Sequence, residues 1–453
     1  MEFNAWSIFV DLGFVSILFL IGVILRSKVK FIQKLFLPAG IIAGLLGLLL
    51  GPNGVGFIPF SSQIGSYPGI LIAVIFGALP LISPAVNWKV ISKRVGSMWS
   101  YSQIVMICMW GGGLLFSLLV LNNIWGDLHS GFGLLLAAGF SGGHGTAAAI
   151  GAAFQSHGWE NATSLAMTSA TVGIISSIIG GLIFIKLATM KGETNHLTSF
   201  KDLSPELRNG LIPTSSRKPS YIDTVSPISI DPLVFHLALV SIIALAGYYL
   251  SQFIGGLFPS VAIPTFSLAF LIGLVLKLIL TKTKTDQYVS KDMLNRISGG
   301  ATDFLVAFGI SSISLPVVID YFLPLSILFI FGLLYAFFSC RLLAKHFFKD
   351  TWFEKGLFTW GWATGTMAMG IALLRIADPD TESTTLEDFG LAYIPMAPVE
   401  IAVVTFAPFM IVSGQSWLFI LLTLGGAVVL YLFARANKWV KTTLVEKKSN
   451  ISA

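Results

Sequence analysis

Residues able to bind small ions cluster in a glycine-rich interruption of the apolar stretch 131–156. Its centre reads Ser141-Gly-Gly-His-Gly-Thr146, between two apolar segments that would form helices of roughly 12–15 Å each. Glycines let the backbone turn tightly and approach a ligand closely. Freed N–H groups near Gly145 and Thr146 lie at the positive end of a helix dipole, which favours a carboxylate. Freed carbonyls at 140–142, with the Ser141 and Thr146 hydroxyls, suit a hard cation such as Na⁺.

A second interrupted apolar stretch, 357–376, offers the same chemistry. Gly361, Thr364, Gly365 and Thr366 combine flexible backbone with hydroxyl groups. This stretch occupies the matching place in the second half of the chain, and we expect it to enter the membrane from the opposite side. The two tips would then meet near the middle of the bilayer and present two helix ends to one site.

Acidic residues inside the apolar blocks are the next candidates, because charge inside a membrane is costly and usually functional. Asp303 and Glu400 are candidates to bind Na⁺ or a proton. Glu400 has an alternative role: it follows Pro398, and it would bond backbone groups that the proline frees or pair internally as a neutral acid. Asp11 lies near the outer end of the first block, where we expect its side chain to reach water.

His144 allows two interpretations. Its ring would bond the solute or the opposite tip, or it would remain neutral and stabilise the turn. No cofactor is expected besides a bound Na⁺, and the candidate ligands of that ion are Ser141, Thr146, Asp303 and Glu400. The full candidate binding set is Ser141, Gly142, Gly143, His144, Gly145, Thr146, Asp303, Gly361, Thr364, Gly365, Thr366 and Glu400.

The composition indicates which elements hold these residues. The chain of 453 residues is 55% hydrophobic and only 11% charged, too few charges to cover a water-facing surface. Cys108 and Cys340 both fall inside apolar blocks, which indicates packing rather than a disulfide framework or a metal site. The apolar blocks predict eleven membrane crossings, at about 5–25, 34–51, 66–84, 98–121, 160–187, 232–253, 263–281, 297–316, 321–340, 389–411 and 416–434.

The distribution of charge sets the orientation. With 131–156 and 357–376 as re-entrant hairpins, all 28 Lys and Arg residues lie on one face. Treating 131–156 as a full crossing would put Lys186 and Lys191 on the other face. The loops on that other face carry acidic residues, Glu160 among them, and no Lys or Arg. The positive-inside rule then places the N-terminus outside and the C-terminus in the cytoplasm. The net charge of +6 is explained without a nucleic acid partner.

The order of the blocks repeats. Residues 1–190 hold four spans, a hairpin and a fifth span, and residues 231–411 hold the same series. The polar, proline-rich segment 191–230 joins them as a cytoplasmic linker, and 412–453 adds one further helix and a basic tail. An odd number of crossings in each half inverts the second half. The predicted fold is an all-α polytopic membrane protein with two inverted five-helix repeats, each with a re-entrant hairpin.

The run Ser141-Gly-Gly-His-Gly-Thr146-Ala-Ala-Ala149, followed by Asn161-Ala-Thr163, resembles the first re-entrant loop of the bacterial sodium/glutamate symporters. The second glycine-rich stretch and Ile394-Pro-Met396 are also similar, so the resemblance covers about 10–411. It implies sodium-coupled uptake of L-glutamate across the bacterial inner membrane. It also implies two inverted halves, a homodimer and an elevator-type movement.

The chain departs from that family in two places. Its second tip reads Gly365-Thr-Met-Ala-Met-Gly370 where the family has a Gly-Ala-Thr-Pro-Thr-Ala-like sequence, and the eleventh span with its basic tail is additional. A carrier of a different amino acid or organic anion, coupled to sodium or protons, therefore stays open. So does a channel built from opposed hairpins. An enzyme is disfavoured, because neither a His-Glu-x-x-His motif nor a Cys/His ligand set is present.

Overall fold

The computed structural model describes residues 4–83, 95–191, 193, 209–212, 214, 223–257, 264–348, 351–378 and 382–440. Throughout these ranges the regular structure is helical. Most of the predicted linker 191–230 and of the basic tail lies outside the described residues, as do the basic residues Lys89, Lys93 and Arg94.

The first half contains seven main helices. They are α1 Ala5–Lys28, α2 Ala39–Leu50, α3 Tyr67–Ile82, α4 Gly96–Ile124, α5 Leu134–Phe140, α6 Gly143–Ser156 and α7 Ala162–Met190. Short helical turns at Lys30–Lys34 and Ile64–Ser66 precede α2 and α3, and a π-helical turn at Ser117–Leu121 lies within α4.

The second half repeats this order and adds one helix. Its members are α8 Pro232–Leu257, α9 Thr265–Thr283, α10 Lys291–Ser311, α11 Phe322–Phe347, α12 Trp352–Thr364, α13 Met367–Ala377, α14 Thr385–Val412 and α15 Ser416–Ala436. Short turns at Asp286–Tyr288 and Leu315–Asp320 flank α10, and π-helical turns at Ser339–Leu343 and Leu421–Gly425 lie within α11 and α15.

Each of the eleven predicted crossings coincides with one of these helices. Nine helices among the described residues are long and apolar enough to span a membrane, which confirms a polytopic membrane protein. The two others are α2 and α10. Helix α2 has 12 residues and reaches only about 18 Å. Helix α10 begins with charged residues, Lys291 and Asp292.

The helices divide into two groups by packing. Helices α1–α3 and α8–α10 contact one another and form what we call the first bundle. Helices α4–α7 and α11–α15 form the second bundle, which holds most of the largest apolar cluster; that cluster continues into the first bundle at Ile72 and Ile310. Each half of the chain thus gives its first three helices to the first bundle and the rest to the second. The two bundles meet mainly where α3 and α10 pack on α6 and α7.

Close approach between helices of the first bundle depends on small residues, as is usual where apolar faces give no preference between lipid and protein. A Cβ built on Gly273 of α9 would lie 2.5 Å from the carbonyl oxygen of Gly77 in α3. A Cβ on Gly47 of α2 would overlap Ser311 Oγ at the end of α10. The outward faces of α1, α8 and α9 expose leucine, isoleucine and phenylalanine side chains, which suits contact with lipid.

The expectation that Asp11 reaches water is wrong. Its carboxylate is fully buried and accepts hydrogen bonds from the Ser61 N–H at 2.8 Å, from the Ser61 hydroxyl, and from the Tyr67 hydroxyl at 2.7 Å. The loop between α2 and α3 folds over α1 and supplies the Ser61 donors, and Tyr67 is the first residue of α3. Asp11 therefore ties α1 to the start of α3.

Candidate functional site

The first glycine-rich interruption forms a helical hairpin, α5–α6. At the open end of the hairpin, the start of α5 lies beside the end of α6. The His129 ring before α5 stacks at 4.3 Å on Trp159 and lies 5.2 Å from Phe154 near the end of α6. At the other end the N–H groups of Ser141 and Gly142 both bond the Ala137 carbonyl. The chain then reverses at Gly143, whose φ of +63° lies in the region that favours glycine.

The second interruption forms a tighter hairpin, α12–α13. A Cβ on Gly361 would lie 2.5 Å from Gly370 Cα, so the two arms touch backbone to backbone. The turn consists of Gly365 and Thr366. At the base, Lys355 forms a buried ion pair with Asp388 at the start of α14, with 2.8 Å between Nζ and Oδ2. This pair fixes the hairpin to α14.

The two tips meet, as the sequence predicts. A Cβ on Gly143 would lie 3.2 Å from Thr366 Cγ2 and 3.4 Å from the Gly365 carbonyl oxygen. Helix α6 starts at one tip and α13 at the other, and neither N-cap residue, Gly142 or Thr366, gives its helix a side-chain cap. Two helix N-termini, each carrying a partial positive charge, therefore face a common region.

Helix α7 supports both tips. A Cβ on its Gly173 would lie 2.6 Å from the Thr364 carbonyl oxygen and 3.0 Å from the Phe140 ring, so α7 touches the last residue of both first arms. Ser177 donates to the Gly361 carbonyl at 3.1 Å, and the Trp360 indole donates to the Ser177 carbonyl at 2.9 Å. The two hairpins are thus held against one helix.

The tautomer of neutral His144 follows from its neighbour. The Thr171 hydroxyl donates its only proton to the Met167 carbonyl at 2.9 Å, so its oxygen accepts from His144 Nε2 at 3.1 Å. Nδ1 is then the unprotonated acceptor. His144 is 3% exposed, and Nδ1 has no hydrogen-bond partner among the described residues.

Two tip hydroxyls make local bonds that leave their acceptor capacity free. Ser141 donates to the Ala137 carbonyl at 2.9 Å, and Thr364 donates to the Trp360 carbonyl at 2.7 Å. Both oxygens retain lone pairs. Thr146 is buried beside Gly142, where a Cβ would lie 2.5 Å from Thr146 Oγ1. The hydroxyl oxygens of Ser141 and Thr146 therefore both lie at the first turn.

The spacing Gly139-Phe-Ser141-Gly-Gly143 also fits the nucleophile-elbow pattern of hydrolases. That elbow requires a strand before the serine, whereas here α5 precedes it and the Ser141 hydroxyl bonds its own helix. Nor do the described residues bring three His, Cys, Asp or Glu side chains together in a cluster able to hold a metal ion.

The two acidic candidates lie away from the tip contacts. Asp303 is exposed on α10, and a Cβ on Gly40 at the start of α2 would lie 3.6 Å from its Oδ1. It continues a polar face of α10 that begins with the exposed residues Asp292 and Arg296. Glu400 is half-buried and accepts from the Tyr393 hydroxyl at 3.1 Å within α14.

The helix that holds the tips carries the residues that sequence reasoning missed: Thr171, Gly173 and Ser177. A signal was present, because Ser169, Gly173 and Ser177 recur every four residues and lie on one face of an apolar helix. Small residues at this spacing permit close helix contacts in membranes.

Comparison with known families gives one clear result. A model of the sodium/glutamate symporter family matches residues 4–351. The match contains the first hairpin and α7, and it ends just before α12. No curated protein matches the chain.

Proposed function

The chain belongs to the sodium/glutamate symporter family, and on that premise we propose that it takes up L-glutamate or a related small carboxylate together with Na⁺. The family is one of transporters, not enzymes. The observation that carries the proposal is the meeting of the two hairpin tips, with Gly143 against Thr366 and Gly365.

The solute would bind with its carboxylate at the helix starts. Helices α6 and α13 begin at the tips, and neither has a side-chain cap, so their first N–H groups remain available to an anion. His144 Nδ1, which has no partner in the part of the chain that the structure describes, is an acceptor, and it suits the ammonium group of an amino acid. We assign the substrate contacts to the backbone of Gly142, Gly143 and Gly145 and to His144.

Sodium would bind oxygen atoms around the same turns. Ser141 and Thr364 direct their protons to their own helices, which leaves oxygen lone pairs for a hard cation. Thr146 and Thr366 lie beside these turns and complete the proposed oxygen set. Asp303 and Glu400 remain candidates for a coupling role outside the tips, on α10 and α14.

We propose that both hairpins are re-entrant and that the two halves are inverted repeats. Reciprocal packing supports this: α3 packs on α9 of the other half, and the counterpart of α3, α10, packs on α2. The distribution of Lys and Arg over one face supports it from the sequence. The N-terminus would then lie outside and the C-terminus in the cytoplasm of a bacterial inner membrane.

An elevator-type movement suits the division into two bundles. The second bundle holds both tips and α7, and it would slide against the first bundle with the site intact. As in the family resemblance, the working unit would be a homodimer in lipid, with the first bundle as the fixed part.

The experiment is uptake into proteoliposomes of purified protein. An inward Na⁺ gradient should drive accumulation of labelled L-glutamate, and collapsing the gradient should abolish it. Screening other amino acids and dicarboxylates in parallel tests the alternative substrates. These stay open because the second tip, Thr366-Met-Ala-Met369, departs from the sequence of the family. Flux that does not depend on the Na⁺ gradient would indicate a channel. Absence of flux for every small carboxylate tested would refute the proposal.

A further inference from the structure

A polar cavity of about 480 Å³ lies between the two bundles, beside the first hairpin. Its walls are the start of α3, one face of α6, the start of α7 and Ser312 after α10. Serine, threonine and glutamine side chains dominate this lining, Ser66, Gln155 and Thr163 among them, and its one ionisable residue is Glu160. Among the described residues that line it, the cavity offers many oxygen atoms and no cationic side chain.

The cavity follows α6 towards the first tip. Ala152 and Ala148 line it on successive turns of α6, and the next turn contains Gly145. One helical turn rises about 5.4 Å, so the inner end of the cavity lies within about two turns of Gly143.

The side chain of Ile72 lies next to the turn at Gly145. Ile72 of α3 is 1% exposed, and a Cβ on Gly145 would lie 3.6 Å from Ile72 Cδ1. Gly69, one turn earlier in α3, still lines the cavity. Ile72 therefore separates the polar space from the turn at Gly145.

We propose that this cavity is an outward-facing, cation-attracting antechamber through which Na⁺ approaches the tips, with Ile72 as its inner barrier. The inference rests on the proposed function, which sets the binding turn and the outer side. Glu160 is exposed just after the end of α6, and its negative charge would favour cations at the mouth to an extent that salt screens.

The test measures access to a single introduced thiol rather than transport. Ala152→Cys is treated in spheroplasts with impermeant methanethiosulfonates, one with a trimethylammonium group and one with a sulfonate. The matched control is Ala149→Cys on the same helix, because Ala149 is fully buried. Cys108 and Cys340 remain in both variants, and the unsubstituted chain sets the background.

We expect the Ala152→Cys variant to react from outside at least about tenfold faster than the Ala149→Cys variant. After correction for the reactivity of each reagent with a free thiol, the cationic reagent should be favoured, and adding Glu160→Gln or high salt should reduce this preference. Equal rates for the two variants, or labelling of Ala152→Cys only from the inner side, would overturn the antechamber.

Ile72→Phe, added to Ala152→Cys, tests the barrier. Labelling of the introduced thiol should persist while Na⁺-driven uptake falls at least about tenfold, because a larger side chain meets Gly145. Unchanged uptake would overturn the role of Ile72. Slow labelling of Ala152→Cys alongside normal uptake refutes the antechamber alone, and fast labelling in a protein that carries no carboxylate refutes only the proposed function.

Discussion

At the scale of single residues, Gly143 meets two demands at once. Its φ of +63° favours glycine, and its missing side chain leaves room for Thr366 of the other tip. An alanine would cost about 1–2 kcal/mol for the left-handed conformation and would also place a Cβ 3.2 Å from Thr366 Cγ2. We expect Gly143→Ala to lower Na⁺-driven uptake at least about tenfold, measured as initial rate in proteoliposomes.

Gly158 provides the matched control. Its φ is +92°, and a Cβ there meets nothing within 4 Å. Gly158→Ala carries a similar backbone strain without crowding a tip, and it should retain uptake within about twofold. Equal losses in the two variants would mean that strain alone, and not the meeting of the tips, makes Gly143 necessary.

Substitution of His144 can distinguish a structural role of this side chain from a role in binding the substrate. Glutamine at 144 still offers an N–H to Thr171 Oγ1 but has no equivalent of Nδ1, the atom without a partner among the described residues. A lost hydrogen bond to a charged group costs about 1.5–3 kcal/mol. We therefore expect His144→Gln to raise the KM for an amino acid substrate roughly tenfold or more, measured by concentration-dependent uptake.

Thr171→Val removes the other half of the interaction and serves as the comparison. It frees His144 Nε2 but leaves Nδ1 in place, so its effect should fall mainly on thermal stability. If His144→Gln shifts only the melting temperature, and KM stays constant, the histidine stabilises the turn and does not touch the solute.

At the scale of elements, the hairpins and helix α7 were predictable, but the role of α7 in holding the hairpins was not. Half-length apolar segments around a glycine-rich break lead directly to α5–α6 and α12–α13. The role of α7 depends on contacts more than 180 residues apart along the chain, such as Ser177 with Gly361. Hydropathy alone does not distinguish a crossing surrounded by lipid from one surrounded by protein; the spacing of Ser169, Gly173 and Ser177 is the sequence signal that does.

The directions of the acidic side chains were not predictable for a related reason. The position of a residue along a predicted crossing gives its depth in the membrane but not the direction in which its side chain points. Asp303 is exposed on α10, whereas Asp11 is enclosed by a loop that carries Ser61 and folds back over α1. Direction depends on tertiary packing, which hydropathy does not contain.

Gly173 tests the importance of α7. A Cβ there would lie 2.6 Å from the Thr364 carbonyl oxygen, so Gly173→Ala must displace the second tip. Overpacking of this kind costs about 1–3 kcal/mol. We expect uptake to fall at least about tenfold, while far-UV circular dichroism stays unchanged, because the helix itself gains from alanine.

The control for this substitution is Gly112→Ala in α4, where the nearest atom to a Cβ is 4.0 Å away. In the interior of a helix that change favours folding by about 0.5–1 kcal/mol. It should leave uptake intact and raise the melting temperature slightly. Normal uptake by Gly173→Ala would show that the tips tolerate a shift against α7.

At the scale of the whole molecule, the division into two bundles cuts across the two halves of the chain. Each half supplies three helices to the first bundle and the remainder to the second. In the proposed elevator-type movement, the second bundle would move as a body and carry both tips and α7 together. The sequence predicts a repeat but not this division, since the block pattern carries no information on which helices pack together.

A reversible cross-link between the bundles tests such a movement. Ser267 of α9 and Thr405 of α14 are in side-chain contact across the boundary, with 3.1 Å between their hydroxyl oxygens, close enough for a disulfide between cysteines at these positions. With Cys108 and Cys340 replaced by alanine, Ser267→Cys/Thr405→Cys should lose most Na⁺-driven uptake on oxidation and regain it with a reductant. Each single-cysteine variant should be insensitive to the oxidant. Full uptake by the verified cross-linked protein would rule out sliding at this boundary, because a disulfide holds the two Cα atoms within about 7 Å.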